Sequence, residues 1–179
     1  MKKAFLVIGA ESSGTKLVTQ LLANHGCAGQ NEVVDNDQVV LGAMEKNLPL
    51  DSDPIVVRLS VPHGLVTYDV EAFLWHLHCI GYDPLTIVTV RDWNANLHSQ
   101  LHDNTYAFGK KHAMYKLEKA YKTIFKGLIA TDAAYFMVNY EAIIARPKDY
   151  MNWIVWRCGL KFEEDKCPEV HDANEKWYK

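Results

Sequence analysis

The stretch Ala4-Phe5-Leu6-Val7-Ile8-Gly9-Ala10-Glu11-Ser12-Ser13-Gly14-Thr15-Lys16 decides how this chain folds. Its five leading apolar residues suit a short strand covered on both faces, as in a parallel sheet. Gly9 ends the run. From Lys16 to His25 apolar side chains recur at Leu17, Val18, Leu21 and Leu22, which is the spacing of one helical face, and Gly26 stops the helix. The amino end therefore reads strand, glycine turn, helix.

That turn has the makings of an anion cradle. Glycine lets the backbone approach a ligand closely. The helix start offers unpaired N–H groups and the positive end of a dipole. Ser12, Ser13 and Thr15 add hydroxyl donors, and Lys16 adds charge. The pattern is close to G-x-x-x-x-G-K-[ST], the phosphate loop of nucleoside triphosphatases, but Gly14 is followed by Thr15-Lys16, so the order is reversed. The lysine moves about 100° around the helix. The plain alternative is a glycine turn that caps a helix.

Outward from this unit, Ile55–Val61 alternates and is rich in β-branched residues, a second strand ended by Pro62-His63-Gly64. Residues 27–53, with Asn31, Glu32, Asp35, Asn36 and Asp37, are read as a mobile loop with one helical turn. Val70–Ile80 reads as a helix closed by Gly81. Pro84–Val90 is the clearest buried strand, with Arg91-Asp92 at its carboxyl end. Helices follow over Trp93–His102 and Lys110–Ile129, then a strand over Ala134–Tyr140. Pro147 opens a last helix that runs from Lys148 to Cys158. Strands alternating with helices predict an α/β fold: a mainly parallel sheet flanked by helices, a three-layer sandwich like that of P-loop NTPases. Its strand-to-helix turns gather at the carboxyl edge, where ligands bind. Residues 1–179 read as one domain without repeat or linker.

Composition narrows the function classes. The chain has 179 residues, 49% apolar and 23% charged, and a formal net charge of −3. That is ordinary globular composition, and it argues against a general nucleic-acid binder, which carries a basic surplus. No stretch has the roughly 18 apolar residues of a membrane span. Cys27, Cys79, Cys158 and Cys167 fit no zinc spacing and are expected as reduced thiols in a cytoplasmic protein. His98 and His102 stand four apart, a spacing that could hold a metal, but lack a carboxylate motif and read as a solvated or acceptor-facing surface. Lysines 110, 111, 116, 119, 122 and 126 read mostly as a solvated helix face. The tryptophans read as core, with Trp93 beside Arg91 as the one that could touch a ligand.

Ser13-Gly14-Thr15 after the first strand resembles the 5′-phosphosulfate loop of sulfotransferases, P-K-S-G-T-T. In that family an arginine at a strand end and a serine eight residues on bind the donor's 3′-phosphate; Arg91 and Ser99 stand at that spacing within RDWNANLHS. Tyr140-Glu141 with Arg146-Pro147 is similar to the family's Y-E-D-L…P segment. The resemblance covers about residues 4–160. It implies a sulfotransferase moving a sulfuryl group from 3′-phosphoadenosine 5′-phosphosulfate (PAPS) to a hydroxyl or amine of a glycan or small molecule, without a metal. Ser12, Ser13, Gly14, Thr15, Lys16, Arg91 and Ser99 would then bind the donor. An arginine fork and a hydroxyl at a sheet edge suit a terminal phosphate on physical grounds as well. The plain alternatives are a salt bridge of Arg91 with Asp92 and an ordinary polar helix position for Ser99.

Departures from the family are specific. Its loop lysine, which assists the leaving oxygen, is replaced by Ser12. Glu11 stands where proline is usual, and the carboxy-terminal R-K-G segment is absent. Lys16 or Arg58 would have to supply the missing cation. His63, after the second strand, is the candidate base that takes the acceptor's proton; alternatively it caps a turn. Two other function classes stay open. One is a P-loop kinase using magnesium and ATP, which needs a loop lysine and an acidic residue after an apolar strand. The other is a non-catalytic nucleotide-binding module.

Overall fold

Alternation along the first strand builds three layers. In the computed structural model, which describes residues 1–30, 51–62, 69–103 and 109–175, β1 spans Lys2–Gly9. Ala4, Leu6 and Ile8 enter one core cluster, whereas Phe5 and Val7 enter the other. Both sides of a strand buried in this way need helices on both faces.

The described strands are β1, β2 (Ala28–Gln30), β3 (Ile55–Ser60), β4 (Tyr82–Val90) and β5 (Tyr135–Asn139). They form one sheet in the order β2-β3-β1-β4-β5, with every pairing parallel. Helices α1 (Thr15–Asn24), α5 (Tyr140–Ala145) and α6 (Pro147–Arg157) cover one face. Helices α2 (Val70–Cys79), α3 (Trp93–Asp103) and α4 (Lys110–Ala130) cover the other. The expected α/β sandwich with a parallel sheet is what forms.

Several boundaries differ from the sequence reading. Ala28–Gln30 lie within the segment read as loop but form the edge strand β2, paired with Ile55–Val57. Three residues are too few to show a period, and a Cβ at Gly29 would collide with the Val56 carbonyl oxygen. The rest of that loop, residues 31–50, lies outside the described residues. β4 begins at Tyr82 rather than Pro84. Pro84 is tolerated because β4 pairs there with β1 alone; pairing with β5 starts at Thr86. A proline lacks one ladder N–H and belongs where one side is open. β5 stops at Asn139, whose side chain accepts from Ala142 N at 2.8 Å and starts α5. Trp75, Trp93, Trp153 and Trp156 are exposed rather than core. On α2 the buried positions are Val70, Phe73, Leu74 and Leu77, and Trp75 lies off that stripe.

Candidate anion-binding site

The carboxyl ends of the neighbouring central strands β1 and β4 carry the site. After Gly9 the chain turns so that Ser13 N donates to Ala10 O at 3.1 Å. Ser12 and Gly14 adopt positive φ, 62° and 94°. A left-handed backbone suits glycine, which is why Gly14 can open α1 as its N-cap. There is no side-chain cap and no acidic residue in the first turn of α1. The first amide N–H groups of a helix have no intrahelical acceptor, and Gly14 as N-cap has no side chain to supply one.

Ser13 is fully buried, and its Oγ lies 2.7 Å from Thr89 Oγ1 on β4. This cross-strand tie holds the turn against the sheet. A Cβ at Gly9 would collide with both hydroxyls and come within 2.8 Å of the Thr89 carbonyl oxygen, so Gly9 permits the close approach. Tyr121 of α4 donates its hydroxyl to that carbonyl at 3.3 Å. Burial first, and the Glu141 charge second, push the Tyr121 phenol up to about 12, so it remains a donor at neutral pH.

Arg91, just past β4, reaches back to the turn. Its Nη1 donates to Ser12 O at 2.9 Å and its Nε to Asn174 Oδ1 at 2.6 Å. The guanidinium lies 5.0 Å from the centroid of the Tyr140 ring, a stacking distance for a cation on an aromatic face. Asp92 does not pair with Arg91: its carboxylate caps α3 by accepting from Ala95 N at 2.8 Å, while its own N–H donates to Glu141 Oε1 at 2.9 Å. Arg91 and Asp92 therefore form no surface salt bridge with each other.

One polar side of α3 faces this centre. Asn96, Ser99 and Gln100 are all buried, and Gln100 Nε2 donates to Glu11 O at 3.2 Å and to Asn96 Oδ1 at 2.9 Å. Ser99 thus sits on an inward face rather than in solvent. Thr15 is buried, whereas Ser12 and Lys16 are exposed. Arg58 lies on the α1 face of β3, opposite Val7, and burial lowers its pKa. His63 lies outside the described residues.

Some site residues escaped the sequence reading. Thr89, Asn96, Gln100, Tyr121 and Asn174 are ordinary residue types with no motif. On α4, Lys116 departs from the solvated lysine face and is buried. Its position three after Ala113 and four before Ala120, both buried, carried that information. Among the described residues no cluster of three or more His, Cys, Asp or Glu side chains could hold a metal. No described helix is long and apolar enough to cross a membrane.

No family model and no curated protein matches the sequence. Solved structures do match. The sulfotransferase domain of the Synechococcus PCC 7002 olefin synthase superposes with a TM-score of 0.59 at 15% identity, over 98% of this chain and 81% of that one. Mouse sulfotransferase SULT7A1, complexed with PAP, superposes at 0.56 with 10% identity, over 93% and 62%. Retinol dehydratase, in a complex with retinol and PAP, does so at 0.51 with 12% identity, over 92% and 62%. The chain spans 62% of the length of the latter two. At these identities the likeness establishes the fold: this is an α/β protein with the sulfotransferase architecture.

Proposed function

We propose that the chain binds PAPS at the carboxyl ends of β1 and β4 and transfers its sulfuryl group to a hydroxyl or amine of a glycan or small molecule. One observation carries the reading. The Arg91 guanidinium lies against the carbonyl of Ser12, so a cationic fork from β4 adjoins the uncapped start of α1. Two anion-binding elements side by side suit a ligand with two phosphoryl groups. The N–H groups of the turn around Ser13, Gly14 and Thr15 would hold the 5′-phosphosulfate. Arg91 and Ser99 would hold the 3′-phosphate. PAP bound to two of the structural neighbours supports this donor class.

In the transfer, the acceptor atom attacks sulfur, the bond from sulfur to the bridging oxygen breaks, and 3′-phosphoadenosine 5′-phosphate (PAP) leaves. The acceptor's proton goes to a base, for which His63 is the candidate. Charge develops on the departing phosphate, so donors aimed at it speed the reaction. Lys16 and Arg58 are the candidate cations, since Ser12 stands where the family's lysine would be. That replacement favours a second reading, donor binding without transfer.

Calorimetric titration with PAP, and separately with ATP and magnesium, tests the proposal. The expected result is magnesium-independent PAP binding, weakened at least about tenfold by Arg91→Ala, as for loss of a charge-assisted pair. Binding of ATP only with magnesium would overturn it. Sulfate transfer from labelled PAPS to a panel of alcohols and amines separates the transferase from the binding-only reading.

A further inference from the structure

Arg91 is half-buried, and each of its donor nitrogens is either bonded or buried. Nε is held by Asn174 Oδ1 and Nη1 by Ser12 O. Nη2 is buried without a hydrogen-bond partner. The segment responsible lies 83 residues away in sequence. Asn174 is 2% exposed, whereas its neighbours His171, Asp172, Ala173 and Glu175 are exposed. A single buried side chain thus pegs an otherwise exposed stretch to the site. The remaining anchors are polar: Tyr140 donates its hydroxyl to His171 O at 3.0 Å and accepts from Ala173 N at 3.3 Å. Asn174 Nδ2 donates to Glu141 Oε1 at 2.9 Å.

We infer that His171–Glu175 form a carboxy-terminal clasp that occupies Arg91 and must release it before Arg91 can grip an anion. The contacts say why release is accessible. Little apolar surface holds the clasp, and segments of that kind open locally at low cost. The clasped state also leaves two buried polar atoms unpaired, Arg91 Nη2 and Glu141 Oε2. A buried donor without an acceptor is costly. An anion that forks onto Nε and Nη2 would supply the missing acceptor but must displace Asn174 Oδ1 from Nε, so clasp and anion compete for the same guanidinium edge. A site populated only in the released fraction binds more weakly by that fraction. The choice of PAP as the anion rests on the donor reading above; the clasp itself does not.

The first measurement is the rate at which phenylglyoxal modifies each arginine, followed by peptide mass spectrometry. In the intact chain Arg91 should react at least about tenfold more slowly than Arg146 and Arg157, both of which are exposed. Asn174→Ala removes the Nε acceptor, and Ala173→Pro removes the N–H bonded to Tyr140. Either variant, shown to be folded by a cooperative thermal transition, should speed modification of Arg91 alone by roughly threefold or more. PAP should bind both variants more tightly than it binds the intact chain, by a similar factor. Equal reactivity of Arg91 and Arg146 in the intact chain would overturn the clasp. So would folded variants in which neither the rate nor PAP affinity changes. A faster Arg91 in variants that still bind no PAP would uphold the clasp and remove the donor reading.

Discussion

Ser13→Ala is the most informative single change, because it separates two roles for one hydroxyl. Ser13 and Thr89 are 0% and 1% exposed, and their oxygens lie 2.7 Å apart. Removing one partner leaves the other buried and unsatisfied apart from a 3.4 Å approach of Thr89 Oγ1 to Ile8 O. The expected cost is about 1–3 kcal/mol. At roughly 2–4 °C per kcal/mol for a chain of this size, Tm should fall by about 2–12 °C. Thr89→Val should behave alike, keeping shape while losing the hydroxyl. The double variant removes both groups, leaving no orphan, so it should lose less than the two singles together, by roughly 0.5–3 kcal/mol. Calorimetric or chemical denaturation of the four proteins reads this cycle. Additivity would refute the tie. So would a Ser13→Ala protein of unchanged Tm that had lost only PAP affinity, since the hydroxyl would then serve the ligand.

Three further predictions rest on other contacts. Gly14→Ala would place a Cβ 2.8 Å from Tyr140 Cδ2 at a φ of 94°; the backbone alone should cost about 1–2 kcal/mol, read as a lower urea midpoint, and unchanged stability would contradict the turn geometry. Asn139→Ala should cost about 1 kcal/mol through loss of the α5 cap, while Asn139→Asp should retain most of it. Burial pushes the Cys27 and Cys158 thiols up to about 12. A thiol whose folded pKa is raised stabilises the fold below its unfolded value, and this stability is lost as pH rises towards the folded value. Stability should therefore decline across the alkaline range above the ordinary thiol pKa, and in the native state iodoacetamide should label exposed Cys79 well before either buried thiol; early labelling of Cys27 would contradict its burial.

Local pattern carried much of the architecture. Apolar runs at 4–8, 55–61 and 84–90 and the helical stripe of α4 follow from periodicity, a short-range property written in consecutive residues. So did the turn at Gly9–Lys16, because a strand running into a helix through glycine leaves amide groups without partners whatever surrounds it. The exceptions have local causes too. β2 is too short to show a period, and Asn139 looks like a strand residue until its side chain caps a helix. Lys116 lies on the apolar stripe of α4, but its type spoke for solvent.

Consecutive residues carry the alternation of strands and helices, the glycine turn, and the spacing of Arg91 from Ser99. Tertiary structure alone decided the strand order β2-β3-β1-β4-β5, which brings the ends of β1 and β4 together. It also decided that Ser13 meets Thr89 across 76 residues, that Arg91 is shared between Ser12 and Asn174, and that Trp75 and Trp156 face outward. The physical reason is range. Periodicity and turn chemistry act within a few residues, whereas a hydrogen-bond partner dozens of residues away is chosen by how the layers pack.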